Sequence, residues 1–174
     1  MYSLNIQNET VYFRDIKIEH LPHILHWYNK VDDFKFATGI DEPMTLDCLK
    51  RKYAEVSISS NEFFVGIYAR AEGKMVGILK GRLSYRERDS AWISSIAIDL
   101  VYQNKGFGSS SIQLLLDHLK FKCQIRDIYL AVIEENIRGV SFWNKHNFKA
   151  MRKIDNHIKL QNRFQNAIIM HRDV

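Results

Sequence analysis

The 174-residue chain holds only two prolines and eight glycines, too few for a collagen-like, linker-like or proline-rich disordered segment. It lacks any apolar run near the ~18 residues that span a bilayer. The opening Met1-Tyr2-Ser3-Leu4-Asn5 has no cationic stretch ahead of an apolar one, so no secretory signal is expected. Cysteine is scarce: Cys48 and Cys123 stand far apart, with no CxxC pair. That spacing excludes a structural zinc site, leaves a single long-range disulfide open, and makes free thiols in a reducing cytosol the default. The expected location is therefore cytoplasmic, with no membrane partner. What is present is ordinary for a globular protein, 46% hydrophobic and 26% charged. At ~150 residues per domain this predicts one domain over 1–174, long enough to bury a sizeable core.

The net charge of +5 favours anionic partners: nucleic acid, a phosphorylated cofactor or an acidic surface. The basic residues are scattered, with small clusters at Lys80-Arg82-Arg86-Arg88 and Arg152-Lys153. No helix or stripe concentrates them, so nucleic acid is the weakest of these readings.

Along the chain, alternation predicts a strand from Thr10 to Lys17. A helix follows over Glu19 to Asn29, with Pro22 in its first turn and Leu21, Ile24, Leu25 and Tyr28 on one face. A second helix is expected from Thr45 to Ile58, capped by Thr45. Asp32 to Pro43 reads as a loop between them. Strands then follow at Phe63 to Arg70, Met75 to Tyr85 and Ser90 to Asp99, joined by turns at Ala71-Lys74 and Arg86-Asp89. Ile112, Leu115, Leu116 and Leu119 fit the helical template fully. A strand at Asp127 to Ile133, a helix at Asn136 to His146, and strands at Phe148 to Ile154 and Phe164 to Met170 complete the chain. The expected class is mixed α/β, strongly antiparallel in the middle.

The sharpest feature runs from Ile96 to Ser110. A strand ends, the loop Gln103-Asn104-Lys105-Gly106-Phe107-Gly108 follows, and an amphipathic helix begins. Glycines let the main chain approach an anion, and a helix N-terminus adds unpaired N–H groups and partial positive charge. Lys105 adds formal charge. These residues predict a phosphate or pyrophosphate site. A Walker loop needs GxxxxGK[ST], which is absent, and Gly106-x-Gly108 is followed by Ser111 where a dinucleotide fingerprint has its third glycine.

The remaining match, [Q/R]xxGx[G/A], resembles the coenzyme A loop of the GNAT superfamily of N-acetyltransferases. Downstream, the run from Asn136 to Phe148 resembles the second block of that family, N-x-x-A-x-x-F-Y-x-x-x-G-F. Asn162 to Met170 looks like its C-terminal turn and strand. Together with Trp27 in the first helix, that ending resembles members acting on ribosomal-protein N-termini, polyamines and amino sugars. The resemblance covers residues 10 to 171. It implies a GNAT-like, mostly antiparallel central sheet flanked by helices, and acetyl transfer from acetyl-CoA to a small-molecule or peptide amine by direct attack in a ternary complex, without a metal.

By that resemblance, the backbone of Ile96, Ala97 and Ile98 pairs with the pantetheine arm. An N–H near Ile96 points at the thioester oxygen, where negative charge develops. The amides of Gln103, Asn104, Lys105, Gly106, Phe107, Gly108 and Ser109 hold the pyrophosphate. Asn136 bonds the pantetheine amides, Phe142 packs on the pantetheine or adenine side and Lys145 reaches the 3′-phosphate. The acceptor enters over Asp32 to Pro43 and the hairpin near Tyr85 to Asp89.

The chain departs from the family at the groups that move protons. Trp92 stands at the strand-four position where a Glu often acts as base, which leaves Glu87, Asp89, Glu134 and Glu135 as substitutes; Ser94 and Ser95 are placed to orient a water. Trp143 replaces the tyrosine that protonates the leaving thiolate, and an indole N–H is no acid. Three readings stand side by side: unassisted departure of the thiolate, another phenol (Tyr85, Tyr102 or Tyr129), or a degenerate acyl-CoA-binding module with a regulatory or interaction role. Asn147 replaces a glycine at a position where left-handed backbone suits Asn.

His20, His23 and His26 recur every three residues. On a 3.6-residue helix the outer two end ~120° apart, so they cannot converge on one ion. Trp27, Tyr28, Phe34 and Phe36 read equally as acceptor pocket or aromatic core. The edge of the C-terminal strand pair offers a route to a homodimer.

Overall fold

The computed structural model describes residues 1–85 and 88–174. The Arg86 and Glu87 parts of the expected turn, of the basic cluster and of the base candidates thus lie outside the described residues. The strands are β1 (Val11–Asp15), β2 (Glu62–Ala69), β3 (Met75–Ser84), β4 (Ser90–Ile98), β5 (Asp127–Ile133), β6 (Lys149–Leu160) and β7 (Arg163–Asp173). They form one sheet ordered β1-β2-β3-β4-β5-β7-β6. The β4–β5 pair is parallel and the others are antiparallel.

Period-two alternation sends side chains to opposite faces of the sheet. Phe63, Val65 and Ile67 of β2 join one buried cluster, while Phe64 joins the other. Helices cover both faces. On one side lie α1 (Leu21–Tyr28), α2 (Val31–Thr38) and α3 (Leu46–Ile58); on the other lies α4 (Phe107–Phe121), with α5 (Ile137–Lys145) contributing Trp143. The α4 stripe of Ile112, Leu115, Leu116 and Leu119 is fully buried, each residue adding about 1.5–3 kcal/mol of apolar burial. Thr45 caps α3, its Oγ1 accepting from the Cys48 N–H at 3.3 Å. Trp27, rather than Leu25, is buried with Leu21, Ile24 and Tyr28 on α1.

The structure corrects the expected loop at Asp32 to Pro43, whose first part is α2. Only Phe34 of that helix is buried, its N-cap supplies no side-chain bond, and Gly39 ends it at φ +70°. So short a helix with one anchoring residue carries too little periodicity to be read. The last two strands also outrun their expected bounds. They meet at a two-residue hairpin, Gln161-Asn162, with φ of 48° and 60°. Two positive φ values match the twist of the flanking strands, but neither residue is the glycine that usually signals such a turn. Asn147 adopts φ 60°. Cys48 and Cys123 are free thiols.

Candidate functional site

β4 and β5 pair only from Ser90–Ile93 to Asp127–Leu130. Past that point β5 stays with β7 as far as Ile133 opposite Ala167, whereas β4 stays with β3 as far as Ile98 opposite Gly77. The two strands part. A bulge sits at the fork: Gly81 opposes Ile93 and Lys80 opposes Ser95, leaving Ser94 as the extra residue. Bulges bend a strand and increase its twist. Gly81 permits the close approach there, since a Cβ would collide with the Phe63 ring and the Trp92 carbonyl.

The fork opens into a cleft of about 1150 Å³, walled by Ile96 and Ile98 of β4, Ala131 and Val132 of β5, and the α4 and α5 N-terminal regions. Backbone from Ser94 to Ile98, unpaired on its β5 side among the described residues, borders it. The Ala97 side chain points the other way and is buried.

Asn104 and Gly106 take φ of 59° and 86°, turning the loop into α4. The first helical bond runs from the Ser110 N–H to the Gly106 carbonyl. Phe107, Gly108 and Ser109 therefore start the helix with N–H groups that have no intrahelical acceptor, and the N-cap Gly106 has no side chain to supply one. Gly106, Gly108 and Ser109, three of the residues expected to form an anion cradle, line the cleft.

Gln103 and its neighbours divide the work differently from the expectation. The Gln103 N–H donates to the Leu100 carbonyl at 3.2 Å, and its side-chain nitrogen to the Ile98 carbonyl at 2.9 Å. Gln103 thus ties the loop to β4. Lys105 Nζ lies 5.5 Å from the Tyr102 ring centre, and Phe107 meets that ring edge-on at 5.8 Å; neither side chain is on the cleft wall. Asp99 braces the same loop by accepting from Trp27 Nε1 at 3.1 Å and from the Val101 N–H at 3.4 Å.

On the opposite wall, Asn136 Oδ1 caps α5 by accepting from the Gly139 N–H at 2.9 Å. The Phe142 ring comes within 3.4 Å of where a Gly108 side chain would begin. Lys145 lines the wall, and Arg138, which the sequence reading missed, lines it too. An Asn-x-Arg pattern at a helix start was the available signal. His146 Nε2 lies 3.1 Å from Ser109 Oγ, joining α5 to the start of α4. Burial, reinforced by the charges of Arg172 and Lys145, holds its pKa below the ordinary histidine value.

At the other end of the cleft, α2 contributes Asp32, Asp33 and Phe36. Ser95 Oγ donates to the Ala37 carbonyl at 2.7 Å, fastening α2 to β4. Trp27, Tyr28 and Phe34 are core, so of the four aromatic residues weighed for a pocket only Phe36 lines the cleft.

Trp143 is 7% exposed and packs edge-on against Phe142 and Phe148 at 5.0 and 5.1 Å. It reaches the cleft wall from the core side. Trp92 lies in the paired part of β4, with the Arg82 guanidinium 6.0 Å from its ring. Among the carboxylates offered by the sequence, Glu135 lines the cleft. Glu134 instead accepts from Lys153 and Asn166, both at 2.9 Å, and those two bonds hold its pKa below the ordinary range. Asp89 is off the wall. Of the phenols, Tyr102 lines the cleft and donates to Glu72 at 3.2 Å. Tyr129 stacks on His171 at 4.7 Å, and Tyr85 neighbours Cys123. Among the described residues no group of three or more His, Cys, Asp or Glu is placed to hold a metal ion. Among the described residues no helix is long and apolar enough to cross a membrane.

Parted parallel strands beside an uncapped helix N-terminus define a cleft for an extended ligand with an anionic end. Comparison with known proteins agrees with this class. The family described as Acetyltransferase (GNAT) domain matches residues 13–169, and the chain belongs to that family. A curated relative, the probable spermine N(1)-acetyltransferase of Bacillus subtilis subsp. natto (strain BEST195), is 29% identical over 96 residues, 52% of this chain and 62% of its own. The spermine/spermidine N(1)-acetyltransferase of Bacillus subtilis (strain 168) matches to the same extent. The chain thus spans less than two thirds of the length of these curated relatives.

Two solved structures share the fold throughout. Spermidine N-acetyltransferase from Vibrio cholerae, in complex with CoA and spermine, has a TM-score of 0.82 at 22% identity, covering 94% of this chain and 95% of its own. An acetyltransferase from Salmonella typhimurium that modifies the N-terminal serine of ribosomal protein L7/L12 has a TM-score of 0.81 at 17% identity, covering 96% of each.

Proposed function

We propose that residues 1–174 act as one GNAT-like domain that transfers the acetyl group of acetyl-CoA to a primary amine by direct attack in a ternary complex. The observation that carries this reading is the fork between β4 and β5 next to the open N-terminus of α4. The donor fits that geometry. An extended pantetheine arm suits the free backbone edge of Ser94 to Ile98, and a pyrophosphate suits the N–H groups at Gly106 to Ser109. Arg138 and Lys145 add positive charge on the α5 side.

Bound acetyl-CoA supplies the acetyl group as a thioester. A backbone N–H near Ile96 stabilises the negative charge that develops on the thioester oxygen, a contribution of several kcal/mol to the barrier in comparable sites. Asn136 and Phe142 orient the arm. Asp32, Asp33 and Glu135 make the acceptor side acidic and favour a cationic amine. The two curated relatives, both named for spermine, support a polyamine as the acceptor class.

A second reading, an acyl-CoA-binding module without turnover, is favoured by one observation. Trp143 stands where the family has its tyrosine, and no protein acceptor among the described residues engages its indole N–H. With no acid at that position, departure of the thiol rests on its own pKa of ~8.5.

Calorimetric titration with acetyl-CoA, compared with dephospho-CoA, tests the donor site. Micromolar binding weakened by loss of the 3′-phosphate is expected. Thiol release across spermine, spermidine, an amino sugar and a peptide N-terminus then separates the two readings. Binding with no release from any amine would replace the enzyme by the binding module.

A further inference from the structure

Beside the cleft lies a second cavity of about 430 Å³, between α2 and the β6–β7 hairpin. Phe36 and Glu135 line both spaces and so form the border between them. Behind Glu135 sits Gln165, a polar residue only 6% exposed. With its amide nitrogen turned toward Glu135, it lies 3.1 and 3.2 Å from the two carboxylate oxygens. The β5–β7 register sets this up: Ile133 opposes Ala167, so Glu135, two residues past β5, meets Gln165, two residues earlier on β7. A buried amide donating to both oxygens fixes the direction of the carboxylate. Lys35 and Arg163 line the far part of the small cavity, and Lys35 Nζ is held by Gln161 Oε1 at 2.8 Å and lies 3.5 Å from Asp32.

We infer that Glu135 is the group that takes the proton of the acceptor amine. The inference rests on the transfer reading above. An alkyl ammonium with a pKa of ~10 has no lone pair to attack with at pH 7. In open water it would keep its proton against a carboxylate. Glu135 is exposed in the structure; with donor and acceptor both seated, loss of solvation by the two charges would favour the neutral pair over the ion pair. Glu135 accepts one proton from nitrogen, and the freed lone pair forms the C–N bond. The C–S bond breaks with its electron pair on sulfur. The second proton lost from nitrogen ends on that sulfur as thiol, and the Glu135 proton returns to water. Trp92 cannot do this, and Glu134 is already bound to Lys153 and Asn166.

The test compares wild type and Glu135→Gln with spermine and with a peptide N-terminus, following thiol release from pH 7 to pH 10. A positioned base contributes roughly 10²–10⁴-fold. Glu135→Gln is therefore expected to lower kcat/KM at least about 10²-fold at pH 7, and the deficit should shrink toward pH 10, where about half of the alkyl amine is already free. Acetyl-CoA affinity by calorimetry should be unchanged. A deficit equal at every pH would assign Glu135 a structural role and overturn the inference, as would a variant within about threefold of wild type. Glu135→Asp, which keeps the charge but withdraws it from Gln165, serves as a second variant should the first not fold and is expected to show the same pH-dependent deficit. Wild-type protein that binds acetyl-CoA yet releases no thiol with either amine would overturn the transfer reading and this inference together. Normal turnover by Glu135→Gln would remove this inference alone.

Discussion

Gly106 has φ +86° and open space where a side chain would begin. A Cβ there meets no neighbour, so the constraint is the backbone: an L residue in that region is strained by about 1–2 kcal/mol. Gly106→Ala should therefore fold with modest loss and retain acetyl-CoA binding. Gly106→Glu adds the same strain and a carboxylate beside the N–H cradle. Its acetyl-CoA affinity is expected to fall at least tenfold by calorimetry, in a protein whose far-UV spectrum is unchanged. Equal affinity in the two variants would place the anion elsewhere. Gln103 teaches the complementary point. The family pattern names it, yet its backbone N–H is used on Leu100 and its side-chain nitrogen on Ile98, so it shapes the loop whose Gly106, Gly108 and Ser109 line the cleft.

Elements build the cleft by what they leave unpaired. β4 keeps β3 and releases β5 after Ile93, and α4 begins with free N–H groups because its N-cap is glycine. α2 matters through Asp32, Asp33 and Phe36, and it is held in place by the Ser95 bond to Ala37. By contrast, α3 is absent from the cleft wall and acts through packing of Leu49 and Val56. Thr45→Ala removes its cap bond, which costs about 1 kcal/mol. For a domain of this size the unfolding midpoint is expected to drop by about 2–4 °C. Acetyl-CoA affinity should not change, and a fall in both would mean that α3 supports the cleft after all.

At the scale of the whole molecule, the half-buried His118 is expected to couple stability to pH. His118 lies 3.0 Å from the Tyr2 hydroxyl, and burial, with a smaller effect of Lys122, lowers its pKa in the folded state. The unfolded chain then binds a proton more readily, near its ordinary value of ~6.5. The contribution is complete above that value and is lost as pH falls through it toward the lowered folded pKa. Denaturant unfolding from pH 8 to pH 5 should show stability falling with acid, and His118→Gln should flatten part of that slope. An identical slope in the variant would assign the dependence to other groups.

The same scale shows how far the sequence reaches. Ile112 to Leu119 marked a helix because phase on a helix is local, and β2 to β4 were legible because strand-forming runs bounded by turns are local too. The glycine loop before α4 was legible because backbone freedom and a helix start lie within ten residues. The α2 helix was not, since its one buried residue, Phe34, is held by distant neighbours. Nor was the length of β6 and β7, whose turn has no glycine.

Sequence by itself determined the seven strands, the α-helices other than α2 and the glycine loop ahead of α4, all of which rest on residue type and near spacing, while the departures at Trp92 and Trp143 are read against the family pattern. Only the tertiary structure decided which carboxylate faces the cleft. Glu134 and Glu135 are adjacent in the chain and look alike, but the register of β5 on β7 sends one to Lys153 and the other to Gln165 between two cavities. A choice made by pairing across some thirty residues of chain leaves no mark on local composition.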